Sequence, residues 1–264
     1  MLRFPAIFAM FFFCAASVRA GADVTDRFEA RAFKGSTEEL PYRLLKPKDY
    51  DAKKSYPLVL FFHGAGERGK DNIAQLKHGV KAFASDEHLV KFPCFVIAPQ
   101  CPNGEQWVNT PWGAPEHTMP EQPSKSMTVA FELLDAIRKE FPIDPTRIYV
   151  TGISMGGFGT WDALQRHPEI FAAGVPVCGG ADTAQAPKIA GIPVWVFHGG
   201  NDGVVKTKRS RDMVAALEAA GGRPKYDEYP GVGHDCWGRA YATKELYEWL
   251  FAQRRTEPAP APKK

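Results

Sequence analysis

Cysteine is scarce in this chain of 264 residues: five in all, one of them (Cys14) inside the first twenty positions. So low a count excludes a disulfide-dense scaffold. No block of Lys or Arg stands out, and 33 basic residues against 30 acidic ones leave a formal charge of only +3. Nothing therefore argues for a nucleic-acid partner. Beyond the N-terminus no segment is long and apolar enough to cross a bilayer. No cluster of His, Cys, Asp and Glu has metal-ligand spacing. His63 and Glu67 stand four apart, but the glycines between them argue against the helix that such a pair needs. The expected metal and cofactor content is none. What the chain does have is an ordinary globular balance, 44% apolar and 24% charged, enough for a real core.

The N-terminus stands apart. "MLRFPAIFAMFFFCAASVRA" carries an early Arg3, an apolar run from Phe4 to Ala16 and a small-residue site at Val18-Arg19-Ala20. This is the pattern of a signal peptide over 1–20, cut after Ala20, and it predicts a secreted or periplasmic protein with no stable membrane insertion after cleavage. An uncleaved anchor is the competing reading. Without Arg3 and Arg19, the 33 basic residues fall almost level with the 30 acidic ones. Cys94 and Cys101 bracket an apparent strand, and seven extended steps span roughly 23 Å, too far for a disulfide. Cys178 with Cys236 is the preferred bridge, because both fall near one end of the sheet; four free, buried thiols are the equal alternative.

From residue 21 to 253 the chain reads as one α/β domain, with no internal repeat and no linker, followed by a disordered Pro/Ala/Lys tail over 254–264. "PLVLFFHG", "CFVIAPQ", "RIYVTGIS", "AGVPVCGG" and "PVWVFHGG" are short apolar runs that end in glycine or a polar turn. They suit strands buried on both faces. Helical patterns lie between and after them: "KSMTVAFELLDAIRKEF", "KRSRDMVAALEAAGG" and "TKELYEWLFAQRR". Such alternation predicts a mostly parallel sheet with helices on both faces. "RFEARAFKG" and "ELPYRLLKP" predict an antiparallel hairpin at its edge.

Ser154 sits in "GISMGG", where a strand turns into a helix beginning near Met155. A serine there has a strained backbone, and glycines two positions to either side relieve clashes with strand and helix. A helix N-cap serine is the simpler alternative. A serine nucleophile needs a base, and the base an orienting acid. Asp202 in "HGGNDGVV" and His234 in "GVGHDCW" follow at strand ends in the expected order. Asp182 and Asp235 compete for the acid's place; Asp182 comes early, and Asp235 is too close in sequence to His234. His63 and His198 read as structural histidines. The backbone N–H groups of Ala65 (or Gly66) and Met155 are the natural donors to an oxyanion.

These motifs together resemble the α/β-hydrolase superfamily over about residues 38–252. They are most similar to secreted esterases of the dienelactone-hydrolase and phospholipase/carboxylesterase type, related to feruloyl and acetyl-xylan esterases and to prolyl-oligopeptidase-like proteins. The resemblance implies Ser154 as nucleophile, Asp202 as acid and His234 as base. It implies hydrolysis of short-chain or polysaccharide-borne esters, acetyl or feruloyl, with a peptidase and a non-catalytic carbohydrate-binding protein as alternatives. "GAGERGKD" nearly spells a phosphate loop, but Asp71 stands where its hydroxyl should be. The loop 103–125 is polar and bears aromatics, so Trp107 and Trp112 are candidate substrate contacts, with Trp237 a third beside His234.

Overall fold

A computed structural model describes residues 23–262; the expected signal peptide lies outside the described residues. Eight strands form one sheet: β1 (Phe28–Lys34), β2 (Glu39–Leu45), β3 (Tyr56–Phe62), β4 (Phe95–Pro99), β5 (Ile143–Ile153), β6 (Ala173–Val177), β7 (Trp195–Gly199) and β8 (Lys225–Tyr229). Their spatial order is β1-β2-β4-β3-β5-β6-β7-β8. β3 to β8 run parallel, and β2 joins both β1 and β4 antiparallel. The apolar runs become the inner strands because every residue of β3, β4, β6 and β7 is buried. The hairpin alternates instead and takes the edge.

Among the described residues seven α-helices accompany the sheet: α1 (Asp86–Lys91), α2 (Lys125–Glu140), α3 (Met155–Arg166), α4 (Ala186–Ile189), α5 (Lys208–Ala219), α6 (Trp237–Tyr241) and α7 (Lys244–Ala252). Side chains alternate across β3 and so feed two cores. Leu58, Leu60 and Phe62 pack with Leu133 and Ile137 of α2, Phe158 and Trp161 of α3, and Met213 of α5. Val59 and Phe61 pack with Tyr241 of α6 and with Leu246 and Leu250 of α7. Ser124 caps α2 by accepting from the Met127 N–H at 3.0 Å. No helix among the described residues is long and apolar enough to cross a membrane.

Two expectations meet a different outcome. The C-terminal tail is docked as far as Pro260, not loose. The Arg255 N–H donates to Thr146 O at 3.0 Å, the Ala259 N–H to Pro145 O at 2.9 Å, and Arg138 binds the Pro260 carbonyl. Composition could not show these partners, two backbone carbonyls on β5 and one guanidinium on α2. Cysteines 94, 101, 178 and 236 are free and buried, so the preferred bridge is not formed. The Cys236 thiol neighbours that of Cys178, and burial first, then that neighbour, push the Cys178 thiol up.

Candidate active site

The parallel strands all present their carboxyl ends to one edge, and three side chains meet there. His234 Nε2 lies 2.8 Å from Ser154 Oγ, and His234 Nδ1 lies 2.7 Å from Asp202 Oδ2. Ser154 follows β5 and precedes α3, with φ 52° and ψ −116°, a left-handed backbone that an L-residue holds only when its surroundings enforce it. The enforcement is visible at the flanking glycines. A Cβ on Gly156 would come within 2.0 Å of Phe62 O, and one on Gly152 within 2.4 Å of Gly156 O. Only glycine lets α3 start this close to β3. Ser154 does not cap α3 through its side chain, which sets aside the capping alternative.

Asp202 is held on both oxygens. Oδ1 accepts from the backbone N–H groups of Val204 at 2.8 Å and Val205 at 2.9 Å. Oδ2 faces His234 and, at 3.1 Å, the Nε2 of fully buried His198. Burial alone would raise the Asp202 carboxyl; the hydrogen bonds from His198, His234 and Val204 outweigh it and hold the group far below the usual carboxylate range. His198 Nε2 also faces Val205 O at 3.0 Å. Both neighbours only accept, so this nitrogen carries the proton. His198 Nδ1 meets Ser210 Oγ at 2.7 Å. The sequence reads His198 only as a backbone-bonded structural histidine. Its spacing of four from Asp202, across the end of β7, is the only hint there of this contact. Cys178 lies beneath, its sulfur within 4.8 Å of the ligand atoms of Asp202 and His234.

The competing acids are elsewhere. Asp182 accepts from the Met119 N–H at 2.9 Å and the Ala184 N–H at 3.0 Å, and so fastens the 103–125 loop. The same loop is gripped by buried Arg209, which donates to Ala114 O at 2.8 Å and binds His117 Nδ1. Asp235 is exposed. His63 is buried and bonded at both ring nitrogens to backbone, with the Cys101 N–H donating to Nε2 at 2.9 Å and Nδ1 facing Gly64 O at 2.6 Å. Burial lowers its pKa to about 4. Ala65 opens the short turn Ala65–Glu67 directly after β3, and Met155 is the first residue of α3, whose leading N–H groups have no partner within the helix. The resemblance to a phosphate loop ends here too, because no helix follows Lys70; the next turn is Ala74–Leu76.

Of the three tryptophans, Trp107 is corrected. It is fully buried, donates to His63 O at 3.0 Å and packs on Phe62 with ring centroids 4.7 Å apart. Its indole N–H found a backbone partner, so the ring could sink into the core. Trp112 is half-buried under Arg68. Trp237 stands edge-on to His234 at 5.6 Å.

Residues 36–187 match the family described as "Putative esterase". The chain resembles a solved thermostable esterase at 41% identity and TM-score 0.82, over 88% of this chain and 64% of that one. It is 28% identical to a "Probable carboxylesterase" of Oryza sativa subsp. japonica over 69% of this chain and 83% of the relative. It is 31% identical to a bifunctional acetylxylan esterase/xylanase of Neocallimastix patriciarum over 44% of this chain and 19% of the relative. The chain thus spans about a fifth of the bifunctional enzyme and just under two thirds of the thermostable esterase. The fold is that of the α/β-hydrolases, and the chain belongs to this esterase family.

Proposed function

We propose that this protein is a serine carboxylesterase that acts after export on short-chain or polysaccharide-borne esters, acetyl or feruloyl. The observation that carries the reading is the hydrogen-bonded line Ser154–His234–Asp202 on a strained turn at the carboxyl edge of the sheet. Ser154 Oγ attacks the ester carbonyl carbon while its proton passes to His234 Nε2. The N–H groups of Ala65 and Met155 receive the carbonyl oxygen as it becomes an oxyanion. The His234 Nε2–H then gives its proton to the alcohol oxygen as the C–O bond breaks, leaving the acyl group on Ser154. Water repeats the sequence with His234 as base, and the free acid leaves. Asp202, ionised, holds the Nδ1–H tautomer and stabilises the imidazolium formed at each attack. The N-terminal signal pattern supports export, and the family's esterases support the reaction class. Trp112 and Trp237, both half-buried, are our candidate aromatic contacts for the substrate. The test is hydrolysis of 4-nitrophenyl acetate by the purified chain in excess chelator, with Ser154→Ala as control. Turnover lost in the variant is the expected result. Turnover retained in the variant, or ATP hydrolysis that vanishes on Lys70→Ala, would overturn it.

A further inference from the structure

The turn Ala65–Glu67 carries an acid that the reaction above does not use. Glu67 is 6% exposed. Among the described residues no donor lies within hydrogen-bond distance of its carboxyl oxygens. The nearest partner is His78 Nε2, 3.8 Å from Oε1. The other oxygen, Oε2, lies over Gly64, 2.9 Å from where a Cβ there would stand, beside Ile153 and so next to the Ser154 turn. The carboxyl keeps only a narrow contact with solvent, where a ligand hydroxyl can take the place of water. The buried acid nearby, Asp202, is by contrast filled by backbone and side-chain donors.

Glu67 does not stand alone. The His78 ring is 5.4 Å from the Trp237 ring, and Trp237 stands edge-on to His234 at 5.6 Å. His78 is about one third exposed and Trp237 is half-buried, so the group opens to solvent. Carboxyl, imidazole and indole therefore form an arc from the proposed oxyanion loop to the imidazole that protonates the departing alcohol. The leaving oxygen must lie at His234 Nε2, on the ring that the Trp237 end of the arc abuts.

We propose that Glu67, His78 and Trp237 form the alcohol subsite, and that it selects esters of polyhydroxylated alcohols, a sugar ring above all. The assignment rests on the esterase reading and deepens it. The carboxyl accepts a hydroxyl hydrogen adjacent to the ester, and the indole covers an apolar face of the ring. A quaternary ammonium alcohol is disfavoured, since one indole beside the carboxyl is not an aromatic cage and a quaternary ammonium has no hydrogen to donate.

The experiment compares kcat/KM for methyl acetyl-xyloside and for 4-nitrophenyl acetate, whose alcohol has no second hydroxyl. In Glu67→Gln the ratio of the first to the second should fall on the order of tenfold to a hundredfold. Methyl xyloside should also weaken in parallel as a competitive inhibitor. A ratio within about twofold of the wild type, with both substrates falling together, would show that Glu67 only shapes the oxyanion loop, and would overturn the subsite. If Glu67→Gln does not fold by its thermal melt, His78→Ala, at a part-exposed position, takes its place: a fall in the ratio supports the subsite and an unchanged ratio overturns it. A loss confined to acetylcholine would overturn the sugar assignment in favour of a cationic alcohol. A wild-type chain inert on both esters would contradict the esterase reading itself, and the subsite with it, whereas an active chain with an unchanged ratio contradicts the subsite alone.

Discussion

His198 and His234 share one oxygen: their ring nitrogens lie 3.1 Å and 2.7 Å from Asp202 Oδ2. The first is fully buried and fixed by Ser210, and the second reaches the nucleophile. His198 is therefore a positioning residue, which acts on Ser154 through Asp202 and His234. Replacing it by Phe keeps a ring but removes the donor to a charged acceptor, an interaction worth about 1.5–3 kcal/mol. We expect kcat on nitrophenyl acetate to fall roughly tenfold to a hundredfold with KM little changed. His198→Asn, which retains a donor, should recover part of the loss. A KM effect with kcat intact would mean that the loop alone has moved.

Asp202→Asn preserves shape and removes charge. Turnover should drop roughly 10³–10⁴-fold, and the melting temperature should fall as well, because in either orientation the new amide turns its NH2 toward N–H groups from which Asp202 accepts. Asp235→Asn should be nearly silent, since that side chain is exposed. Asp182→Asn should act through the 103–125 loop that it fastens at Met119, and so change substrate preference more than the rate on nitrophenyl acetate. If Asp182→Asn were the crippling change, the acid would be wrongly placed.

Trp107 and Trp237 separate core from site. Trp107→Ala opens a cavity at a fully buried ring, and chemical denaturation should show a loss of about 3–5 kcal/mol. Trp237→Ala should leave stability within about 1.5 kcal/mol of the wild type and raise KM for sugar esters. Equal stability losses in the two variants would refute this division.

His63 predicts a dependence of stability on pH. Its ring is buried and neutral, with a pKa lowered from 6.5 to about 4. The unfolded chain therefore binds more protons between those values, and stability falls as pH drops through that window. From about pH 7 to about pH 4.5 the single histidine accounts for about 2 kcal/mol of lost stability. His63→Gln, which keeps one donor and one acceptor, should flatten the urea-midpoint profile by that amount. An unchanged slope would show that His63 is not the group responsible.

Much of the fold was legible because burial on both faces leaves a direct trace. The runs beginning at Pro57, Cys94 and Pro193 became β3, β4 and β7 within two residues. The place of Ser154 was legible for a similar reason: Gly152 and Gly156 record backbone contacts that exclude any side chain. Other features depend on partners distant in the chain. Trp107 looked like a ligand platform because nothing local shows that its N–H meets the His63 carbonyl. The tail looked loose because its acceptors lie at Pro145 and Thr146. Glu67 and His78 are eleven positions apart with no shared periodicity, and only the folded loop sets them facing each other. His198 read as a structural histidine because its contact with Asp202 forms only where the end of β7 meets the turn after it.

The central claim is that Ser154 is the nucleophile activated by His234, and covalent labelling tests it most directly. The purified chain is treated with a fluorophosphonate, digested and mapped by mass spectrometry. One equivalent of label on the peptide containing Ser154, with labelling slowed by several orders of magnitude in a folded His234→Ala variant, is the predicted result. Label on another serine, or none on the folded wild-type chain, would contradict the account.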